Sequence, residues 1–191
     1  MDVALRKPMS LDEFLAWERE QELRYEFDGF QPVAMTGGTV AHSEITTNIV
    51  EALRRRLQGK PCRAFRGDLK IMVAGRIRYP DAVITCFPVA DDADIVPEPV
   101  VVFEVLSRST ASTDRIAKNE EYRQTPSIQH YVMLEQTSQA ATVFWRIGED
   151  WIGRIVTGDA VLAFSQIGIE LPLGEAYAGI EFPDPAAEVS P

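Results

Sequence analysis

Only two cysteines and two histidines occur in 191 residues, and each scarcity removes a class of chemistry. Cys62 and Cys86 are too few for a disulfide framework, so a reducing compartment is expected. With His42 and His130 they form neither a C-x-x-C nor an H-x₃₋₅-H pair, which excludes the usual structural zinc spacings. No uninterrupted apolar run approaches the roughly 20 residues of a membrane-spanning helix. No basic segment leads into an apolar one at the N-terminus, so no signal peptide is expected. The glycine-rich "TGGTVAHSE" lacks the lysine of a phosphate-binding loop. What remains is one soluble cytoplasmic domain spanning 1–191, with 46% apolar residues to build a core.

Positive charge is also scarce, but unevenly so. The chain carries 19 Lys and Arg against 29 Asp and Glu, a net charge of −10. Residues 54–78 nevertheless hold nine of those cations and one acid, Asp68, so this segment is +8 and the rest of the chain is −18. Such asymmetry marks a candidate nucleic-acid-facing surface on an acidic protein, here through Arg54, Arg55, Arg63, Arg66, Arg76 and Arg78. A solvated helix end and strand edge would give the same composition.

Periodicity then sets out the elements. "MSLDEFLAWEREQ" reads as a helix with Ser10 and Glu13 as a capping box. Asp28-Gly29 between β-prone flanks predicts a hairpin. In "AHSEITTNIVEALRRRLQGK", Ile45, Ile49, Leu53 and Leu57 form one stripe, and Gly59 stands at the C-cap position. Three strands are expected in "AFRGDLKIMV", "IRYPDAVIT" and "EPVVVFEVLS", then a helix in "STASTDRIAKNEEYRQ" and a buried strand in "IQHYVMLE". "AATVFWRI", "DWIGRIV" and "AVLAF" read as antiparallel strands, and "IELPLGEAYAGI" as a short helix. The core thus covers about 10–137, followed by a β-rich extension over about 138–182.

Carboxylates interrupt the apolar strands. With period-two alternation, Asp81 shares a face with Tyr79 and Val83, Glu104 with Val102 and Leu106, and Asp68 with Lys70 and Met72. Three carboxylates on neighbouring strands repel unless a cation lies between them. Hard oxygen donors in that number suit Mg²⁺ or Mn²⁺. Separate arginine partners, or a bulge at the sheet rim around Asp81, would satisfy the same acids.

The order Pro80-Asp81, then Glu104 in "VVVFEVLS", then Asp114-x-x-x-Lys118-x-x-x-Tyr122 resembles the PD-(D/E)XK nuclease superfamily. More narrowly it resembles the Uma-type family of restriction-endonuclease-like proteins. "YEFDG" at 25–29, His42, "DLKI" at 68–71 and "YPDAVI" at 79–84 belong to the same resemblance. It implies a mixed α/β fold, a central mixed sheet flanked by helices, and a Mg²⁺- or Mn²⁺-dependent endonuclease acting on DNA. Asp81, Glu104 and the carbonyl of Val105 would hold the metal, with His42 and Asp68 in support. The superfamily lysine two residues after the second acid is here Leu106. Lys118 is the expected replacement, one helical turn after Asp114 and one before Tyr122, and Lys70 is the second candidate. The same departure supports an alternative, a nuclease-fold protein that binds nucleic acid without cutting it. The β-rich C-terminal third, and relatives of this architecture, suggest a homodimer.

Overall fold

The computed structural model describes residues 8–35, 37–107 and 114–182. Helix α1 (Leu11–Glu18) starts at the expected capping box, in which the Ser10 side chain and Glu13 exchange hydrogen bonds with each other's backbone N–H. The hairpin follows as β1 (Tyr25–Phe27) and β2 (Pro32–Ala34), its turn held by the Asp28 carboxylate accepting from Phe30 and Gln31 N–H. Helix α2 (Val40–Leu57) buries the predicted stripe and ends before Gly59, whose φ of +74° is the left-handed conformation of a helix stop.

The next stretch departs from the expected pair of strands. "AFRGDLKIMV" divides into β3 (Arg63–Arg66) and β4 (Ile71–Val73), and "IRYPDAVIT" into β5 (Arg76–Arg78) and β6 (Ala82–Thr85). Strands β3 and β6 join a central six-stranded sheet, whereas β4 and β5 pair with the hairpin in a four-stranded sheet ordered β2-β1-β5-β4. The chain therefore crosses between sheets twice, at Gly67–Leu69 and at Tyr79–Asp81. Pro80 costs no ladder bond, because it stands where one ladder has ended and the next has not begun. Asp68 lies in the first crossing, its N–H donating to the Arg66 carbonyl at 2.8 Å, so alternation with Lys70 and Met72 does not govern it.

Strand β7 (Pro99–Val105) pairs antiparallel with β6 and parallel with β8 (His130–Leu134). Between β7 and β8, a wide π-helical turn at Asp114–Lys118 runs into α3 (Asn119–Gln124). The Ser/Thr cluster expected to cap this helix, Ser109–Thr113, lies outside the described residues. Strands β9 (Ala140–Ile147) and β10 (Asp150–Thr157) complete the central sheet, ordered β10-β9-β8-β7-β6-β3. A two-stranded ribbon, β11 (Val161–Phe164) and β12 (Ile169–Pro172), leads into α4 (Leu173–Ala176), shorter than the helix expected there because "IELP" is strand.

Each face of the central sheet has its own core. Ile45, Ile49 and Leu53 of α2 pack on Ile84, Val101, Phe103 and Val132, with Leu171 and Leu173 closing that layer. On the other face Val83, Val102 and Met133 meet Tyr122 of α3 and Ile71 of β4. A third cluster holds α1 on the smaller sheet through Phe14, Phe27 and Ile77. Truncating one of these fully buried aliphatic side chains to alanine would cost roughly 2–5 kcal/mol.

Cys62 and Cys86 are joined by a disulfide, contrary to the reading of two reduced thiols. The register explains it. Arg63 pairs with Thr85, so the residues just outside that pair face each other across β3 and β6. No helix among the described residues is long and apolar enough to cross a membrane.

Candidate active site

The second crossing delivers Asp81 to the edge of β6. Ala82 pairs with Phe103, and continuing that register by one residue sets Asp81 alongside Glu104. Neighbours across a ladder have Cβ atoms about 5 Å apart. The backbone N–H of Val105 donates to Asp81 Oδ2 at 2.6 Å. A strand residue points its N–H and C=O to the same neighbour, so the Val105 carbonyl faces the Asp81 side as well.

His42 approaches Asp81 from α2, with Nε2 3.1 Å from Oδ1. It is fixed at the start of the helix, where its N–H donates to the side chain of the N-cap Thr39 at 3.1 Å. The glycine before that cap is required by the histidine. A Cβ on Gly38 would stand 2.9 Å from His42 Nδ1, closer than real Cβ atoms come. The Thr39 hydroxyl donates to Gln136 at 2.6 Å, and the Gln136 amide donates to the Leu106 carbonyl at 2.9 Å. This chain latches the beginning of α2 to the end of β7, and so places His42 over Asp81.

Glu104 meets a different set of partners. Its Oε1 accepts from Lys118 Nζ at 3.0 Å and from the Tyr122 hydroxyl at 2.8 Å. Lys118 and Tyr122 therefore share a face, as their spacing predicts, although the turn carrying Lys118 is π-helical. Such turns recur at functional sites. Lys118 Nζ is also 3.2 Å from Glu26 Oε1. Glu26 continues to Arg78 at 3.1 Å, and Arg78 grips Glu121 with two bonds of 2.7 Å. Arg76 reaches the same Glu121 at 3.2 Å. Three carboxylates and three cations thus close one largely buried network, which meets the requirement that buried charge be paired. Burial opposes the charged form of Arg78, but its bonds to Glu121 and the charges of Glu26 and Glu121 outweigh that and raise its pKa. Burial, and then the charge of Glu104, hold the Tyr122 hydroxyl well above its ordinary range, so it stays a donor.

The remaining predicted residues lie elsewhere. Lys70 is buried against Glu18 at 2.6 Å and Asp94 at 3.0 Å, not against Glu104. Asp68 is exposed, and only its neighbour Gly67 packs on the Pro80–Asp81 backbone (a Cβ there would be 3.2 Å from the Pro80 carbonyl). The six arginines do not share one surface. Arg78 is only 3% exposed and Arg76 turns toward Glu121, both drawn inward by carboxylates, while Arg55 pairs with Glu175 at 3.2 Å. Arg54, Arg63 and Arg66 stay exposed.

Sequence reasoning gave Glu26 no role of its own, placing it only in a hairpin and within the "YEFDG" stretch of the family resemblance. The available signal was an acid between Tyr25 and Phe27 on a three-residue strand, which alternation turns to the opposite face. Among the described residues no three His, Cys, Asp or Glu side chains are set as a ready metal cage. Two carboxylates and a strand carbonyl are a donor set of hard oxygens, and that fits an ion such as Mg²⁺, which retains several waters.

Comparison with known proteins agrees with this fold. The family model Uma2, described as "Putative restriction endonuclease", matches residues 11–174. The uncharacterized protein slr1290 of Synechocystis is 30% identical over 178 residues, covering 91% of this chain and 94% of its own. A second Synechocystis protein, sll1609, is 25% identical over 172 residues, covering 86% and 97%. A crystal structure from Anabaena variabilis, described as a "putative nuclease belonging to DUF820", superposes with a TM-score of 0.74 at 19% identity, covering 90% of this chain and 98% of that one.

Proposed function

The chain belongs to the Uma2 family, and from that premise we propose that it is a metal-dependent endonuclease hydrolysing phosphodiester bonds in DNA. The observation that carries this reading is the meeting of Asp81 and Glu104 at one ladder position with the Lys118 ammonium on Glu104. Asp81, Glu104 and the Val105 carbonyl would hold Mg²⁺ or Mn²⁺. When bound, such an ion lowers the pKa of water and offsets charge on a phosphoryl oxygen.

The chain's own residues supply the remainder. Lys118 takes the part of the superfamily lysine whose position is filled by the buried Leu106. From Glu104 it would orient the attacking water and stabilise negative charge developing at phosphorus. The water oxygen would bond to phosphorus, giving up a proton to bulk water, as the phosphorus–oxygen bond to the leaving group breaks and that oxygen takes a proton from a second water. His42 keeps Asp81 oriented toward the site, and Glu26 and Tyr122 keep Lys118 and Glu104 in place.

Calorimetric titration of Mn²⁺ tests the donor set directly. Wild type should bind and an Asp81→Ala/Glu104→Ala variant should not. Binding that persists unchanged in the variant would place the metal elsewhere and sink this assignment.

A further inference from the structure

The cations of the 54–78 segment divide by their partners. Lys70, Arg76 and Arg78 are consumed by carboxylates of the interior, Arg55 and Arg56 by Glu175, and Lys60 by the Gly168 carbonyl. Arg54, Arg63 and Arg66 are left without an acidic partner among the described residues, and Arg63 spends one N–H on the Val89 carbonyl at 3.3 Å while the residue remains exposed. These three line one open cleft of about 390 Å³ between α2 and β3.

Both the lining and the position of the cleft are informative. Val50 and Leu57 of α2 and Ala64 of β3 give it an apolar floor, with the arginines at its borders. The Arg63 guanidinium lies 4.9 Å over the Phe65 ring, which adds a flat cationic surface. At one end the cleft is lined by Asp68 and Leu69, in the crossing whose Gly67 packs on Asp81. Arg66 pairs with Ala82, the residue after Asp81. The cleft therefore runs along β3 toward the crossing that carries Asp81.

We propose that this cleft binds a single unpaired nucleic-acid strand, its bases on the apolar floor and its phosphates on Arg54, Arg63 and Arg66, so that the enzyme acts on single-stranded DNA or a single-stranded flank. This rests on the nuclease reading above. A duplex turns its phosphates outward and stacks its bases against each other, so an apolar floor would find nothing to contact. A single strand offers both surfaces at once, which is how cationic grooves with flat side chains hold it. A volume near the lower end of small-ligand sites suits one or two nucleotide units.

The test is fluorescence anisotropy with a labelled oligothymidylate and with a labelled duplex, both in EDTA, using the full chain. Wild type should bind the single strand more tightly than the duplex. Arg54→Ala/Arg66→Ala should weaken single-strand binding at least about tenfold and reduce the logarithmic salt slope by about 1.4, two lost contacts at ~0.7 each. The same two-charge change at the distant β10 side, Arg123→Ala/Arg154→Ala, should leave it within about twofold. Equal loss in both variants, preference for duplex, or no binding of either probe would overturn the proposal. Asp81→Ala/Glu104→Ala should still bind the strand in EDTA. Wild type that binds the strand but not Mn²⁺ would fail the nuclease reading alone, and wild type that binds Mn²⁺ but not the strand would fail this proposal alone.

Discussion

Two buried lysines in this protein have nearly the same surroundings and different proposed roles. Lys118 lies between Glu104 and Glu26, with a tyrosine hydroxyl, Tyr122, donating to Glu104. Lys70 lies between Glu18 and Asp94, with a tyrosine hydroxyl, Tyr79, donating to Glu18. Burial raises the pKa of both tyrosines, each helped by its glutamate partner, so neither loses its proton near neutrality. The difference is in the neighbour of the glutamate. Glu104 stands beside Asp81 on adjoining strands, whereas Glu18 ends a helix packed on the smaller sheet. Composition around a buried lysine therefore does not separate a reactive site from a structural ion pair. The second acid, brought in by strand register, is what the proposed role of Lys118 rests on.

Substitution of the two lysines should break the comparison most sharply. Lys118→Ala should lower DNA cleavage by about 10³-fold, a loss of roughly 4 kcal/mol of transition-state stabilisation. Lys70→Met should leave the turnover of folded protein within a few-fold but lower the unfolding free energy from denaturant titration by roughly 3–5 kcal/mol, because Glu18 stays buried without its cation. Reversal of the two outcomes in cleavage assays would move the catalytic assignment to Lys70.

Acid titration compares the carboxylate clusters only once His130 is accounted for. Burial lowers its pKa from the ordinary 6.5 to about 4, and Nδ1 has no hydrogen-bond partner among the described residues. Between those values the unfolded chain binds a proton that the folded one refuses. This contribution to stability is intact above pH 6.5 and is lost as pH falls toward 4, by about 3 kcal/mol. His130→Phe should flatten that limb in chemical denaturation at several pH values. An unchanged limb would assign it to the carboxylates.

The tyrosines give the smallest and finest contrast. Tyr79→Phe and Tyr122→Phe should each cost about 1 kcal/mol of stability. Only Tyr122→Phe should also lower cleavage, since Glu104 loses a partner that holds its carboxylate. Equal kinetics for both variants would reduce Tyr122 to a packing residue.

Much of this site was legible as residue types in order. Period-two alternation placed Glu104 on a buried strand, and i, i+4 spacing paired Lys118 with Tyr122. What alternation could not show was that one apparent strand was two. "IRYPDAVIT" has the apolar rhythm of a single strand, and only the proline hinted that hydrogen bonding changed partners there. Which sheet each half would join depends on contacts with residues distant in sequence, such as Phe27 with Ile77. Glu26 was hidden for the same reason, since its partners Arg78 and Lys118 lie far along the chain. The disulfide was missed because pairing depends on register, not on the number of cysteines. Charge counting had a related weakness. It located the basic segment but not which side chains turned inward to meet acids.

The two crossings that divide those strands also determine what a fluctuation can do. Asp81 and Glu104 belong to the large sheet, Glu26 and Arg78 to the small one, and Lys118 bridges them. If the small sheet swung away, each sheet would keep its own ladder, yet Lys118 would lose one of its two anchors. Partial opening of this kind needs less free energy than global unfolding. The proposed site is thus an inspection point for the docking of the two sheets. A chain still incompletely folded, or one beginning to come apart, would carry every residue of the site without the arrangement needed to use them.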